Sequence, residues 1–214
     1  MNRILKTVIY GSRPDGQAKV VAQFARAHAA LQLVGLVDDF PENRGRIVEG
    51  LTVLGTGRDL ADLHASGIEA LLIGFGESLG RTDVVERALS AGLELPCLIH
   101  ETSTCFASAE IGRGVQVFPL AVIGADARVG DGVLVNTGAV VEHDAVLGSG
   151  AVVLPNATLA GRVRVGSDAT IGADATVLPD RTIGAKAVVG AGSVVVEDVP
   201  DGVRVAGVPA RSLA

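Results

Sequence analysis

Three residues carry the clearest chemical signal in this sequence: His143, Asp144 and Gly161. An imidazole titrates near neutral pH, so it can take a proton from an attacking amine or hydroxyl. A carboxylate next in sequence, here Asp144, can hold the ring tautomer and raise its basicity. Gly161 follows His143 by eighteen residues, in the run Leu159-Ala160-Gly161. If that separation brings the two together, the unobstructed N–H of Gly161 can receive the oxyanion of a tetrahedral intermediate formed beside His143, worth roughly 3 kcal/mol for one donor. The alternative is that His143 caps a corner and Gly161 turns one.

The separation acquires meaning from the elements around it. From Ile111 to Val195 every sixth residue is aliphatic, and the position two residues before each is Ala, Val or Ser, with Arg181 as the one exception. A period of six matches neither a helix face nor an open sheet and reads as the hexapeptide repeat of a parallel β-helix. Each hexad supplies one short strand and one corner. Three make a coil of roughly eighteen residues, stacked at a strand spacing of about 5 Å. His143 stands two residues after the inward-pointing Val141, at a strand end where a side chain can leave the prism. Glycines directly after the aliphatic residue (Gly112, Gly124, Gly130, Gly148, Gly166, Gly172, Gly184, Gly190) are expected at corners of unusual φ/ψ. Asn136 takes one of these slots, where Asn tolerates left-handed geometry. Arg181 is expected to turn outward.

The first half has a different rhythm. Thr7 to Tyr10 is an apolar run ending at Gly11, and residues 16–30 have helical spacing. Leu33 to Val37 gives a second strand ending at Asp38 and Asp39, and a short helix follows over 59–63. Ala70 to Ile73 is a strand stopping at Gly74, Val84 to Ala91 a helix closed by Gly92, and Pro96 to Ile99 a fourth strand. Strands alternating with helices imply a mainly parallel sheet, in which ligands sit outside the carboxyl ends of the strands. The loop at Gly11, Asp15, Gly16 and Gln17 can offer backbone N–H groups to phosphate at a helix start, although it is not a GxGxxG fingerprint, or it is a tight turn. Asp38 and Asp39 can accept from a ribose or base edge, or are solvated. The pattern changes near residue 107, giving an α/β domain over 1–106 and a β-helix over 107–214.

The chain has 214 residues and a formal net charge of −6, with no basic run, which argues against a nucleic-acid partner. No apolar stretch is long enough for a signal peptide or a membrane span, so a cytoplasmic protein without membrane insertion is expected. Cys97 and Cys105 lack zinc or redox spacing and read as buried thiols; no metal is expected. There is no Trp and one Tyr, as suits a thin prism with little room for rings. His100, His28 and His64 read as structural. Lys186 and Arg211 can neutralise phosphates at the distal end of the β-helix, or are surface charges.

Val-Ile-Tyr-Gly in the first strand, Val37-Asp38-Asp39, Leu98-Ile99-His100, Asn136-Thr137, Glu142-His143-Asp144 and the closing Gly207-Val208-Pro209-Ala210-Arg211 together resemble the nucleotide-sugar N-acetyltransferases of the left-handed β-helix superfamily. These include the perosamine and bacillosamine acetyltransferases and are related to the sialic-acid O-acetyltransferases. The resemblance covers nearly the whole chain. It implies left-handed coiling and a homotrimer with active sites between adjacent β-helices. Acetyl-CoA would lie along the coils and transfer its acetyl group to the amine of a nucleotide-linked 4-amino-4,6-dideoxy sugar.

By motif match, His143 would be the general base, Asp144 its partner and Gly161 the oxyanion donor. Gly161, Ala173 and Ala191 would line the acetyl-CoA groove, with Lys186 and Arg211 as further candidates. Gly11, Asp15, Gly16, Gln17, Asp38, Asp39 and Gly74 would hold the nucleotide sugar. Two departures stand out. Asp15-Gly16-Gln17-Ala18 follows an apparent insertion, Arg13-Pro14, and the second histidine of some members is Val152 here. A hydroxyl acceptor, as in sialic-acid O-acetylation, and a non-catalytic solenoid are the rival readings.

Overall fold

The computed structural model describes residues 3–14 and 16–213, so Asp15 lies outside the described residues. The chain divides into two compact units, Met1–Gly76 with Asp83–Pro96, and Glu77–Thr82 with Cys97–Ala214. The second unit thus begins at Cys97, ten residues before the change of pattern suggests. It also takes in a short segment from the first half.

The first unit is built on a five-stranded sheet in the order β3-β4-β2-β1-β5, from β1 (Leu5–Tyr10), β2 (Leu31–Val37), β3 (Ile47–Val48), β4 (Leu51–Gly55) and β5 (Ala70–Ile73). β1 pairs in parallel with β2 and β5, and β2 with β4. Central strands covered on both faces need apolar residues throughout rather than alternation, and Thr7 to Tyr10 are all buried. Helix α1 (Gln17–Arg26) turns Ala18, Val21, Ala22 and Ala25 inward. Helices α2 (Leu60–Ala65) and α3 (Arg81–Ser90) complete the unit's α-helical elements. A capping box precedes α2, in which Thr56 accepts from the Arg58 N–H and Asp59 accepts from the Thr56 N–H.

The β3–β4 hairpin escapes the sequence reading. Its signal is Glu49-Gly50, both at positive φ (52° and 74°), the two-residue turn that matches strand twist. The expected fourth strand of this sheet belongs elsewhere. Leu98–Ile99 pairs with Gln116–Val117 in the second unit.

The second unit is a left-handed parallel β-helix whose two-residue strands stack into three sheets. Register advances eighteen residues per coil: Val122 pairs with Val140, Val140 with Thr158 and Thr158 with Thr176. The aliphatic ladder and the small residues beside it form one buried column from Val115 to Val205. Arg181 leaves that column as expected, its guanidinium donating to the Pro179 carbonyl and lying 3.7 Å from Asp198.

The corners correct the sequence reading. The left-handed residues sit three places after the aliphatic one, at Gly114, Leu120, Asp126, Gly132, Gly138, Asp144, Gly150, Asn156, Arg162, Asp168, Asp174, Asp180, Lys186 and Gly192. Asn136 lies outside this set; Gly138 is the left-handed residue of its corner. Glycines directly after the aliphatic residue answer a different demand, the close passage of the next coil. A β-carbon on Gly148 would stand 2.6 Å from the Ser167 nitrogen, and one on Gly166 2.4 Å from the Ala185 nitrogen.

Residues 77–82 run along the face that carries Gln116, Leu134, Val152 and Thr170. Arg81, fully buried, donates from Nε to the Gly132 carbonyl (2.7 Å) and from Nη2 to Gln116 Oε1 (3.1 Å). Ser78 shares a hydrogen bond with Thr170, and Thr82 donates to Asp168. Burial pushes the Arg81 guanidinium down to about 9, opposed by the charges of Glu77 and Asp168, so it remains cationic at neutral pH. Cys97 and Cys105 are free and half-buried, packed against the column.

Candidate active site

His143 is placed by its own hexad. Val141 is fully buried in the column, the Glu142 N–H donates to the Leu159 carbonyl of the next coil, and the Asp144 N–H donates to the Ala125 carbonyl of the previous one. With φ at 58°, Asp144 occupies the left-handed corner, where a short polar side chain is tolerated. Its Oδ2 lies 2.7 Å from His143 Nδ1. That contact leaves Nε2 as the ring nitrogen free for chemistry, and the imidazole remains half exposed (50%).

Gly161 lies one coil over on the same corner. A β-carbon built on it would stand 2.6 Å from His143 Nε2 and 2.7 Å from Cε1, so the ring occupies the space that the glycine leaves open. Its carbonyl accepts from the Asp180 N–H, whereas its own N–H donates to no group among the described residues. Arg162, next in sequence, adopts the left-handed conformation at φ 61°, and its N–H donates to the His143 carbonyl. The Arg162 side chain makes a bidentate pair with Asp180 (2.7 and 3.0 Å). Hydrogen bonding to Arg162 holds the Asp180 carboxyl below the usual range and raises the guanidinium in turn. Sequence reasoning passed over Arg162, although the eighteen-residue spacing to Asp180 announces the pair.

Ala173 and Ala191 belong to another corner of the same chain. The Asp174 N–H donates to Pro155 and the Gly192 N–H to Ala173, a column distinct from that of His143 and Gly161. Lys186 is a left-handed, exposed residue on the third corner. Exposed Arg211 donates to its own neighbour's carbonyl, at Ala210, and lies 3.9 Å from Glu197. One chain therefore unites His143, Asp144 and Gly161 but leaves the other β-helix candidates apart.

In the first unit, Gly11, Gly16, Gln17, Asp38, Asp39 and Gly74 gather at the carboxyl ends of β1, β2 and β5. Gly11 has φ +118°, its N–H donates to the Val37 carbonyl, and a β-carbon there would meet the Gly74 carbonyl at 3.2 Å. At Gly74 a β-carbon would stand 2.5 Å from Ile9 Cγ2. The Gly16 N–H donates to the Arg13 carbonyl (3.1 Å). Gln17 Nε2 is buried with no partner among the described residues.

The two acids divide their work. Asp38 is buried, accepting from the Ser12 hydroxyl and the Phe40 N–H. Asp39 accepts from the Gly57 N–H (3.1 Å) and from Arg87, whose guanidinium also lies 5.2 Å from the Tyr10 ring centroid. Burial works against the Asp39 charge, but hydrogen bonds from Tyr10, Arg87 and Gly57 hold its carboxyl below the ordinary range. Burial and the neighbouring Asp39 raise the Tyr10 phenol. Both carboxylates thus have internal partners, and the Gln17 amide nitrogen has none among the described residues.

Comparison with known proteins bears on both units. The family of bacterial transferase hexapeptide (six repeats) matches residues 126–161, 144–179 and 162–197. No curated protein sequence matches at a significant level. The perosamine N-acetyltransferase PerB from Caulobacter crescentus, solved with CoA and GDP-perosamine, is 38% identical with a TM-score of 0.88, the match covering 98% of this chain and 97% of that one. The chain belongs to the nucleotide-sugar acyltransferases of the hexapeptide-repeat superfamily. The acetyltransferase domain of PglB from Neisseria gonorrhoeae FA1090, solved with acetyl coenzyme A, is 36% identical at a TM-score of 0.86, covering 98% and 100%. WeeI from Acinetobacter baumannii AYE is 26% identical at 0.83, covering 98% and 100%.

The similarity extends over the α/β unit as well as the repeats. No group of three His, Cys, Asp or Glu among the described residues is placed to hold a metal ion, and no helix is long and apolar enough to cross a membrane.

Proposed function

We propose that this protein transfers the acetyl group of acetyl-CoA to the amine of a nucleotide-linked 4-amino-4,6-dideoxy sugar, with His143 as general base. The observation that carries the reading is the meeting of His143 Nε2 with the open side of Gly161, beside an N–H that has no partner among the described residues. The amine nitrogen attacks the thioester carbonyl carbon, and Nε2 takes the proton that the amine must lose. The oxyanion accepts from the Gly161 N–H. Collapse breaks the C–S bond, and the thiolate of CoA leaves with the proton held on His143. Asp144 keeps Nδ1 protonated and so leaves Nε2 as the acceptor.

Acetyl-CoA is the cosubstrate, and no metal takes part. Its pantetheine arm runs past backbone groups at Gly161, Ala173 and Ala191, with Lys186 and Arg211 for its phosphates. The corners carrying Ala173 and His143 differ within one chain, so the groove is completed between copies of a homotrimer. Supporting this, one β-helix face points half-exposed β-branched residues outward (Val122, Val140, Thr158, Thr176, Val194), a surface suited to another copy. Gly11, Asp15, Gly16, Gln17, Asp38, Asp39 and Gly74 hold the nucleotide sugar, and the reaction takes place in the cytoplasm. The related perosamine enzyme, solved with a histidine replaced by Asn and by Ala, holds CoA and GDP-perosamine in both forms, which supports a chemical rather than a binding role for such a residue.

The test is thiol release on mixing acetyl-CoA with GDP-, UDP- and dTDP-linked 4-amino-4,6-dideoxy sugars, with mass spectrometry of the product. A hydroxylamine-stable product 42 mass units heavier is about what amide formation adds; a hydroxylamine-labile product marks an ester and overturns the amine acceptor. No release with any of these sugars overturns the reading.

A further inference from the structure

The loop that follows β2 holds an aromatic ring in a position that packing does not explain. Phe40 is 63% exposed, directly after Asp38-Asp39 at the carboxyl end of a central strand. A large exposed ring on its own is ordinary; this one is mounted on a fixed backbone. Its N–H donates to Asp38 Oδ1 (3.0 Å), and its carbonyl accepts from the Asn43 N–H (2.9 Å) as the short helical turn Pro41–Asn43 begins. Asp38 is buried and also takes the Ser12 hydroxyl, and Asn43 Nδ2 reaches the same hydroxyl at 3.5 Å. The phenyl-bearing loop is thereby knitted to Gly11-Ser12, the turn after β1, which is where a parallel sheet receives its ligand.

This arrangement accounts for the buried acid. The Asp38 carboxylate spends both oxygens on holding loops in place: one oxygen orients the backbone of Phe40 and the other fixes Ser12. The open ring face is the only large apolar group that this strand end offers to solvent between Asp38 and Gly45. A flat, apolar ring carried on a fixed backbone fits a flat π-surface, and the part of a nucleotide sugar with such a surface is its base.

We infer that Phe40 is a stacking platform for the nucleobase of the substrate, a binding residue that sets affinity for the nucleotide and takes no part in acetyl transfer. The inference rests on the proposed use of a nucleotide-linked acceptor. Base–aromatic stacking tolerates any base, since every base has a π-face, so Phe40 supplies affinity while polar groups around Gln17 and the strand ends choose among bases.

The experiment compares wild type, Phe40→Ala and Phe40→Trp in two assays. Titration calorimetry measures GDP, UDP, dTDP and inorganic pyrophosphate binding; steady-state kinetics uses the nucleotide sugar that wild type acetylates. Phe40→Ala is expected to weaken nucleoside diphosphate binding on the order of ten-fold while leaving pyrophosphate unchanged, with Phe40→Trp restoring it. The KM for the sugar nucleotide rises correspondingly, and kcat and the KM for acetyl-CoA hold. Equal losses for nucleoside diphosphate and pyrophosphate, or none, overturn the stacking role even when wild type is active. If wild type acetylates no nucleotide sugar, the proposed function falls, and the calorimetry still decides Phe40: base-dependent binding lost in Phe40→Ala upholds it, and no nucleoside diphosphate binding by wild type ends it.

Discussion

Nε2 of His143 stands 2.6 Å from where a β-carbon of Gly161 would be. The ring therefore rests on the open side of a glycine one coil away, and that glycine can carry no side chain without moving the ring. Gly161→Ala is expected to displace the imidazole and lower kcat by about ten- to hundred-fold, a loss of roughly 1–3 kcal/mol of transition-state stabilisation. The half-exposed histidine can swing outward, so the melting temperature should shift by only about 2 °C. Activity and thermal unfolding measured on the same preparation check this, and a collapse of the fold would contradict it.

Removing the base and removing its partner should differ in degree. His143→Ala is expected to reduce kcat by about 10²- to 10⁴-fold with acetyl-CoA affinity retained. Asp144→Asn keeps the left-handed corner but weakens the hold on Nδ1, so a smaller loss of kcat is expected. Full activity in His143→Ala, measured by thiol release, would dismiss the proton-transfer role.

The two glycine positions of the hexad give opposite stability outcomes. Gly166→Ala drives a β-carbon to within 2.4 Å of the Ala185 backbone nitrogen, and rigid backbone cannot yield as a side chain does. A loss of about 1–3 kcal/mol is expected. Asp174→Gly, at a left-handed corner with φ 57°, should be neutral or stabilising, because glycine meets no steric penalty there. Urea unfolding midpoints of the two variants provide the contrast.

Arg81 is a structural cation. Arg81→Met removes the hydrogen bonds that Arg81 donates to the Gly132 carbonyl and the Gln116 amide oxygen, with an expected loss of about 3 kcal/mol. Arg81→Lys should recover little, since one ammonium cannot reproduce the directions of the planar fork. Denaturant midpoints would show the difference from Arg87→Met, which removes a half-exposed side chain.

Acid should weaken the coils by a calculable sign. The Asp131 carboxyl, resisted by burial but held by three hydrogen bonds from Arg113, sits below its ordinary value when folded. A lowered folded pKa means stability that is fully present above the unfolded value near 4 and lost as pH falls through the folded one. The stability difference between wild type and Arg113→Ala is therefore expected to be largest above about pH 5 and to shrink toward pH 2, as followed by urea midpoints across that range.

The hexad rhythm made the β-helix, its aliphatic column and the pairing of His143 with Gly161 legible without coordinates. A repeat of six has one stacking solution, so separation in sequence converts directly into neighbourhood in space. The same rhythm misassigned the corner glycines, because a pattern shows where Gly recurs without distinguishing a backbone twist from a close passage. Leu98–Ile99 was read as a strand, correctly, and given to the wrong sheet, since two residues carry no information about their partner.

Sequence by itself determined the coil length, the alternation of strands and helices ahead of it, and the corner on which a histidine and an acid stand together. Only the tertiary structure decided which groups are already engaged. It gave Asp38 to Ser12 and Phe40, Asp39 to Arg87 and Gly57, and Arg81 to the wall of the β-helix. Local pattern encodes repeats and faces, because these depend on neighbours along the chain. The partner of a polar side chain depends on residues dozens of positions away, and only the folded chain brings them within a hydrogen bond of each other.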